Sequence, residues 1–184
     1  MKKLLLAGLL LVGGMRVAAQ DILYTRNGSI SFFSATPLEH IEAHNKEVSS
    51  FWNTGKGELV FAVLIKSFKF QKALMQEHFN ENYMESNKYP KAGFKGNIVN
   101  LQDADLTRPG TYTVKVEGDL TIHGVTQRVS VPGAVLVTKE GVSATTKFKV
   151  KPADYAIKIP AVVAQNIAEV IEITVNCAYA PYKK

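Results

Sequence analysis

The chain has 184 residues, 46% of them hydrophobic and 21% charged, with 13 Gly and 7 Pro. That mix excludes a disordered tail, a collagen-like fibre and a coiled coil, and the length suits one domain. The single cysteine excludes an internal disulfide framework and a cysteine-based zinc cluster.

Residues 1–19 read MKKLLLAGLLLVGGMRVAA. Lys2 and Lys3 open the segment, an apolar run from Leu4 to Val12 follows, and Val17 and Ala19 occupy the small-residue positions of a cleavage site. This is the pattern of a secretory signal peptide, too short for a spanning helix of about 20 apolar residues. It predicts a periplasmic or secreted mature chain, residues 20–184, without stable membrane insertion. Lys2, Lys3 and Arg16 leave with the leader, so 19 bases of the original 22 face 16 acids, a balance of +3. Such a mild charge gives no basic stripe for nucleic acid.

The mature chain is dominated by a period of two. Strands are predicted from Ser29 to Ala35, from about Glu47 to Asn53, and from Glu58 to Lys66. The last is apolar on both faces, which predicts cover on both sides, with a helix as one candidate cover. A helix is predicted over 71–83, where Leu74, Met75, His78, Phe79 and Asn82 share one face and Tyr89-Pro90 prevents continuation. From Tyr112 to Ile122, Tyr112, Val114, Val116, Leu120 and Ile122 alternate with polar residues. The alternation breaks at His123-Gly124, then resumes through Val129, Val131, Val135 and Val137. A further strand runs from Val142 to Val150, its wet face carrying Lys147 and Lys149 with Lys151 just beyond. The last strand spans Glu169 to Tyr179, with Ile171, Ile173, Val175, Cys177 and Tyr179 on one face. More helix is expected near Ala161 to Ala168. The whole reads as mainly β: an antiparallel barrel or sandwich of about eight strands, with one short helix near 71–83.

No constellation gives a clear reaction. His40 and His44 flank Ile41 where a zinc-protease helix needs glutamate, and on a strand they lie about 13 Å apart, so they read as surface histidines. His78, beside Glu77, reads as a packed helix residue turned towards the sheet, and His123 as a turn residue satisfying loose backbone groups. An acid–base role for either is the enzyme alternative. Cys177 reads as an inert core thiol, and Asp103 and Asp105 as a solvated loop. No cofactor or metal is predicted. What stands out is apolar: all 17 aromatics follow residue 19. The inward residues either fill an ordinary core or line a lipid-sized space.

Two segments resemble the YceI-like family. LMQEHFNENYMESNKYPKAGF, from Leu74 to Phe94, is similar to a helix-and-loop ending in Tyr-Pro-x-x-x-Phe; LTIHGVTQRV, from Leu120 to Val129, is similar to the family's Leu-Thr-(Ile/Leu)-His-Gly-Val-Thr pattern. The resemblance implies a lipocalin-like barrel capped by the helix. It also implies a binder of long isoprenoid or similar amphiphilic chains, often a homodimer, with no common catalytic activity. The expected lining is Phe61, Val63, Tyr112, Val114, Val116, Phe148, Val150, Ile173 and Val175, with Met75, Phe79 and Tyr83 at a helix-covered mouth. An envelope or stress-response protein acting through its outer surface is the remaining alternative. The chain departs from the family pattern around Asn27-Gly-Ser29, where relatives carry His-Ser. It departs again in Ala153 to Pro160, where the motif's Arg has no counterpart.

Overall fold

The computed structural model describes residues 22–182. The leader expected at 1–19 lies outside them. Nine strands form one antiparallel sheet: β1 (Ile22–Ala35), β2 (His40–Asn53), β3 (Glu58–Leu64), β4 (Lys69–Phe70), β5 (Lys91–Ile98), β6 (Gly110–Ile122), β7 (Val125–Val137), β8 (Val142–Val150) and β9 (Ile171–Pro181). The order is β1-β9-β8-β7-β6-β5-β3-β2-β4, and β1 also pairs with β2. That pairing closes eight strands into a barrel and leaves β4 as a two-residue addition beside Ala43 and His44 of β2. Closure removes the long unpaired edges that an open sheet would present.

Period-two patterning explains the barrel wall. Along β8, Thr145, Lys147 and Lys149 point out while Ala144, Thr146, Phe148 and Val150 point in. Lys147 pairs with Glu172 of β9 at 2.7 Å, so the lysines form a solvated face. The outward face of β3 is not covered: Val60 and Leu64 are exposed. Its apolar run therefore corrects the expectation of a doubly covered strand.

β5 is the strand that period-two reading misses. Its sequence, KAGFKGNI, has glycines that read as loop. In the barrel Gly96 pairs with Gly118 of β6, and the Phe94 ring lies across both. A side chain at either glycine would strike that ring and the facing backbone. The glycines are there to let an aromatic ring lie flat on the sheet.

The two ends of the barrel differ. At one end, Trp52, Ile98, Val135, Val137, Cys177 and Tyr179 are buried and packed. The other end is covered by α1 (Ala73–His78), which continues as a π turn over Phe79–Tyr83, and by 3-10 turns at Pro152–Tyr155 and Ala161–Asn166. The helix and its π turn match the expected span, but the phase differs by one position. Met75, Gln76, Phe79, Asn80 and Tyr83 face inward, while Leu74, His78 and Asn82 are exposed. Phe79, common to both faces, packs on Phe32, Phe68 and Phe70, with ring centroids 5.4, 5.5 and 5.1 Å away. Gln76 Oε1 also accepts a hydrogen bond from the Phe70 backbone N–H.

Candidate lipid-binding cavity

The barrel encloses a cavity of about 440 Å³. The reason is side-chain length. Val116, Val131, Gly133, Ala144 and Thr146 form a wall of short side chains from β6, β7 and β8. Phe32, Phe61, Phe70, Phe94 and Phe79, from β1, β3, β4, β5 and the helical cap, are among the aromatic rings lining the cavity, as are Trp52 of β2, Phe148 of β8 and Tyr179 of β9. Short side chains on one wall do not reach across, so the middle stays open. The volume lies within the roughly 300–1,000 Å³ typical of small-molecule sites.

Eleven of the twelve residues expected to line a lipid space lie on this cavity: Phe61, Val63, Met75, Phe79, Tyr83, Val114, Val116, Phe148, Val150, Ile173 and Val175. Tyr112 does not. It is the first inward residue of β6, beyond Val114 at the packed end, and its hydroxyl donates to the Arg108 carbonyl at 3.0 Å. The loop over 99–109 thus takes Tyr112 into the closed end instead of the cavity.

Sequence reasoning missed Phe32, Phe94, Glu39 and the stretch from Pro152 to Ile167, all of which contribute lining. Phe32 shares the inward face of β1 with Ile30, a period-two signal available in the sequence. Glu39 had no such signal, because it sits in the turn between β1 and β2. Its Oε1 accepts from Lys72 Nζ at 3.1 Å and its Oε2 from Asn166 Nδ2 at 3.3 Å. The Lys72 ammonium, and then the Asn166 amide, hold its carboxyl below the usual carboxylate range, so it stays ionised.

The histidines part company. His40 and His44 are exposed on β2, as surface residues should be. His78 is exposed at the cavity rim, with Nδ1 3.0 Å from Asn82 Nδ2, instead of packed under the helix. Its polar ring gains more from water and Asn82 than from an apolar wall. His123 is buried away from the cavity lining. Its Nδ1 lies 3.1 Å from the Tyr155 carbonyl and its Nε2 2.8 Å from Glu85 Oε2. It thus satisfies a backbone acceptor in another segment, and it holds together the two segments that cover the cavity.

At the closed end Cys177 lies against Gly28, and burial pushes its thiol up to about 11. Burial, and then Cys177, also raises the Tyr179 phenol, which bonds Ser50 Oγ at 2.9 Å. Asp105 caps the Thr107 backbone N–H at 3.0 Å and Asp103 accepts from Asn100, so both belong to loop structure. No helix among the described residues is long and apolar enough to cross a membrane.

The fold and cavity define a closed antiparallel β-barrel with an apolar interior space beneath a helical cap. The model of the YceI-like domain matches residues 21–179, and the chain belongs to that family. Among solved structures it is similar to a polyisoprenoid-binding domain from Saccharophagus degradans implicated in plant cell wall breakdown. That match has 14% identity and a TM-score of 0.76, covering 89% of this chain and 100% of that one. It is similar to BcnA of Burkholderia cenocepacia at 18% identity and a TM-score of 0.68, covering 83% and 96%. It is also similar to the YCEI protein of Campylobacter jejuni at 17% identity and a TM-score of 0.54, covering 77% and 85%. No curated protein matches the chain.

Proposed function

We propose that the mature chain is a periplasmic or secreted binding protein that holds a long-chain isoprenoid, or a similar amphiphilic lipid, inside the barrel. The observation that carries this reading is an open interior of about 440 Å³ whose lining is almost wholly hydrocarbon. Water gains few hydrogen bonds there, and a hydrocarbon chain gains contacts along every wall. Each buried methylene contributes roughly 0.8 kcal/mol, so about ten give a gross term near 8 kcal/mol before the costs of association. The similarity in fold to a domain from Saccharophagus degradans described as polyisoprenoid-binding supports the same ligand class.

Secretion through the 1–19 leader and pairing into a homodimer are part of this proposal. N-terminal sequencing of the exported protein and light scattering read them directly. The ligand is tested by native mass spectrometry of protein recovered from its own envelope, followed by organic extraction. A reproducible adduct of lipid mass is expected. Delipidated protein that gains no thermal stability from any isoprenoid overturns the reading.

A further inference from the structure

We infer that the rim carboxylate of Glu39 makes the cavity selective for chain lipids with an uncharged, hydrogen-bond-donating head, such as a primary alcohol, over chains ending in an anion. The inference rests on the reading that the cavity holds a chain-like ligand, and it names the polar end of that ligand.

Among the described residues that line the cavity, Glu39 is the one carboxylate, and no lysine or arginine is among them. An anionic head drawn into this space would meet a negative charge and no cation inside. Lys72 offsets this only in part for the ligand. Its ammonium sits on the Glu39 carboxylate from outside the lining, and its side chain is largely exposed. Asn166, which does line the cavity, turns its amide N–H towards the same carboxylate.

The carboxylate is also held in place. Thr36 Oγ1 accepts from the Glu39 backbone N–H at 3.1 Å and fixes the turn that carries it. Its two oxygens have about four acceptor sites, and Lys72 and Asn166 occupy two. Capacity remains for a donor arriving from the cavity. A hydroxyl or amide N–H on a ligand satisfies it; a second carboxylate or a phosphate does not. A polar group placed to accept a hydrogen bond favours a ligand that brings the donor over one that lacks it.

The test compares farnesol with farnesoic acid, which share one chain and differ at the head. Both are titrated into delipidated full-length mature protein near neutral pH. An apolar cavity by itself disfavours the acid, so the deciding quantity is how the alcohol-to-acid preference changes with residue 39. In Glu39→Gln the acid is expected to gain about tenfold in affinity, the low end of what juxtaposed like charges cost, while farnesol changes little. Lys72→Met, which strips the outer counter-charge from Glu39, is expected to weaken the acid further. It reads the same charge with the opposite sign should Glu39→Gln fold poorly. An alcohol-to-acid preference unchanged in both variants overturns the inference and leaves the lipid-binding reading standing. Failure of both probes to bind the folded wild-type protein overturns the binding reading, and the inference with it.

Discussion

The Tyr89 ring meets the His123 imidazole edge to face, with centroids 4.5 Å apart and planes inclined at 63°. One residue comes from the loop after the helical cap and the other from the β6–β7 turn, so the contact ties the cap to the barrel wall. Glu85 and the Tyr155 carbonyl complete the tie through the two nitrogens of His123. Both segments held this way contribute cavity lining, which makes this cluster a determinant of how tightly the cavity is covered.

Gly124 is the tightest point of that cluster. Its φ is +76°, and an added Cβ would lie 2.5 Å from Tyr89 Cε1. Gly124→Ala combines a disfavoured backbone with a clash against a packed ring. A loss of about 2 kcal/mol or more is expected in urea unfolding, accompanied by faster amide exchange in residues 73–90. His123→Ala should also destabilise the protein by about 1–3 kcal/mol, by leaving a buried carbonyl unpaired.

Ala156 predicts the opposite sign. It ends the 3-10 turn at Pro152–Tyr155 with φ +55° and ψ +23°, a left-handed conformation that a Cβ penalises. Ala156→Gly should therefore stabilise the protein by about 0.5–1 kcal/mol, the relief of strain exceeding the added freedom of the unfolded chain. An unchanged or lowered denaturation midpoint contradicts this.

Cys177 supplies a pH dependence. Its thiol rises from an ordinary value of 9.0 to about 11 in the folded state because burial disfavours the thiolate. Below the ordinary value both folded and unfolded chains keep the proton, and the stability is fully present. As the pH climbs from there through the folded value, the unfolded chain gives up its proton first, and about 3 kcal/mol is lost. Tyr155 and Tyr179, both raised by burial, act in the same direction. Denaturation midpoints measured across the alkaline range should fall, and Cys177→Ser should flatten the thiol's share. The native thiol should also resist alkylating reagents near neutral pH.

Cavity and core give contrasting mutational signatures. Ala144 lines the open wall, whereas Val137 is buried in the core outside the cavity lining. Ala144→Phe is expected to fill space, abolish isoprenoid binding and leave the apo protein as stable as wild type or more so. Val137→Ala should cost roughly 1–3 kcal/mol, as a lost contact plus a new void, while retaining binding. Equal losses of stability in both would show that Ala144 already faces a filled core.

Trp52 is the chain's one tryptophan; it has no exposed surface and lies among the cavity-lining residues, 5.7 Å from the Tyr179 ring. Its indole N–H has no protein partner. Emission should be blue-shifted and nearly insensitive to iodide, and loading the cavity with farnesol should change its intensity. Trp52→Phe should cost less than the roughly 3–5 kcal/mol of a truncation to alanine, because no hydrogen bond is lost.

Much of the wall was legible as alternation. Val114, Val116, Phe148, Val150, Ile173 and Val175 were assigned to the inner face by period two, and they lie there. The method failed where another constraint chose the residue. Gly93 and Gly96 hide β5, and at Gly96 backbone approach and the Phe94 ring select glycine over strand propensity. The helix face is displaced by one position, with Phe79, common to both faces, in a cluster of rings supplied by residues 32, 68 and 70 that no local pattern reveals. Tyr112 alternates correctly, yet only the position of the closed end shows that it misses the cavity.

Local patterning by itself determined the β class, the inward and outward faces of most strands, and the turn at His123-Gly124, because side-chain alternation and positive φ are properties of neighbouring residues. Tertiary structure alone decided that β1 pairs with β2 to close the ring, that one end is packed while the middle stays open, and that Glu39 joins Lys72 and Asn166 at the rim. Those depend on distances between segments far apart in the chain. Whether facing side chains meet across a barrel is set by its diameter and their summed lengths, which no single strand encodes.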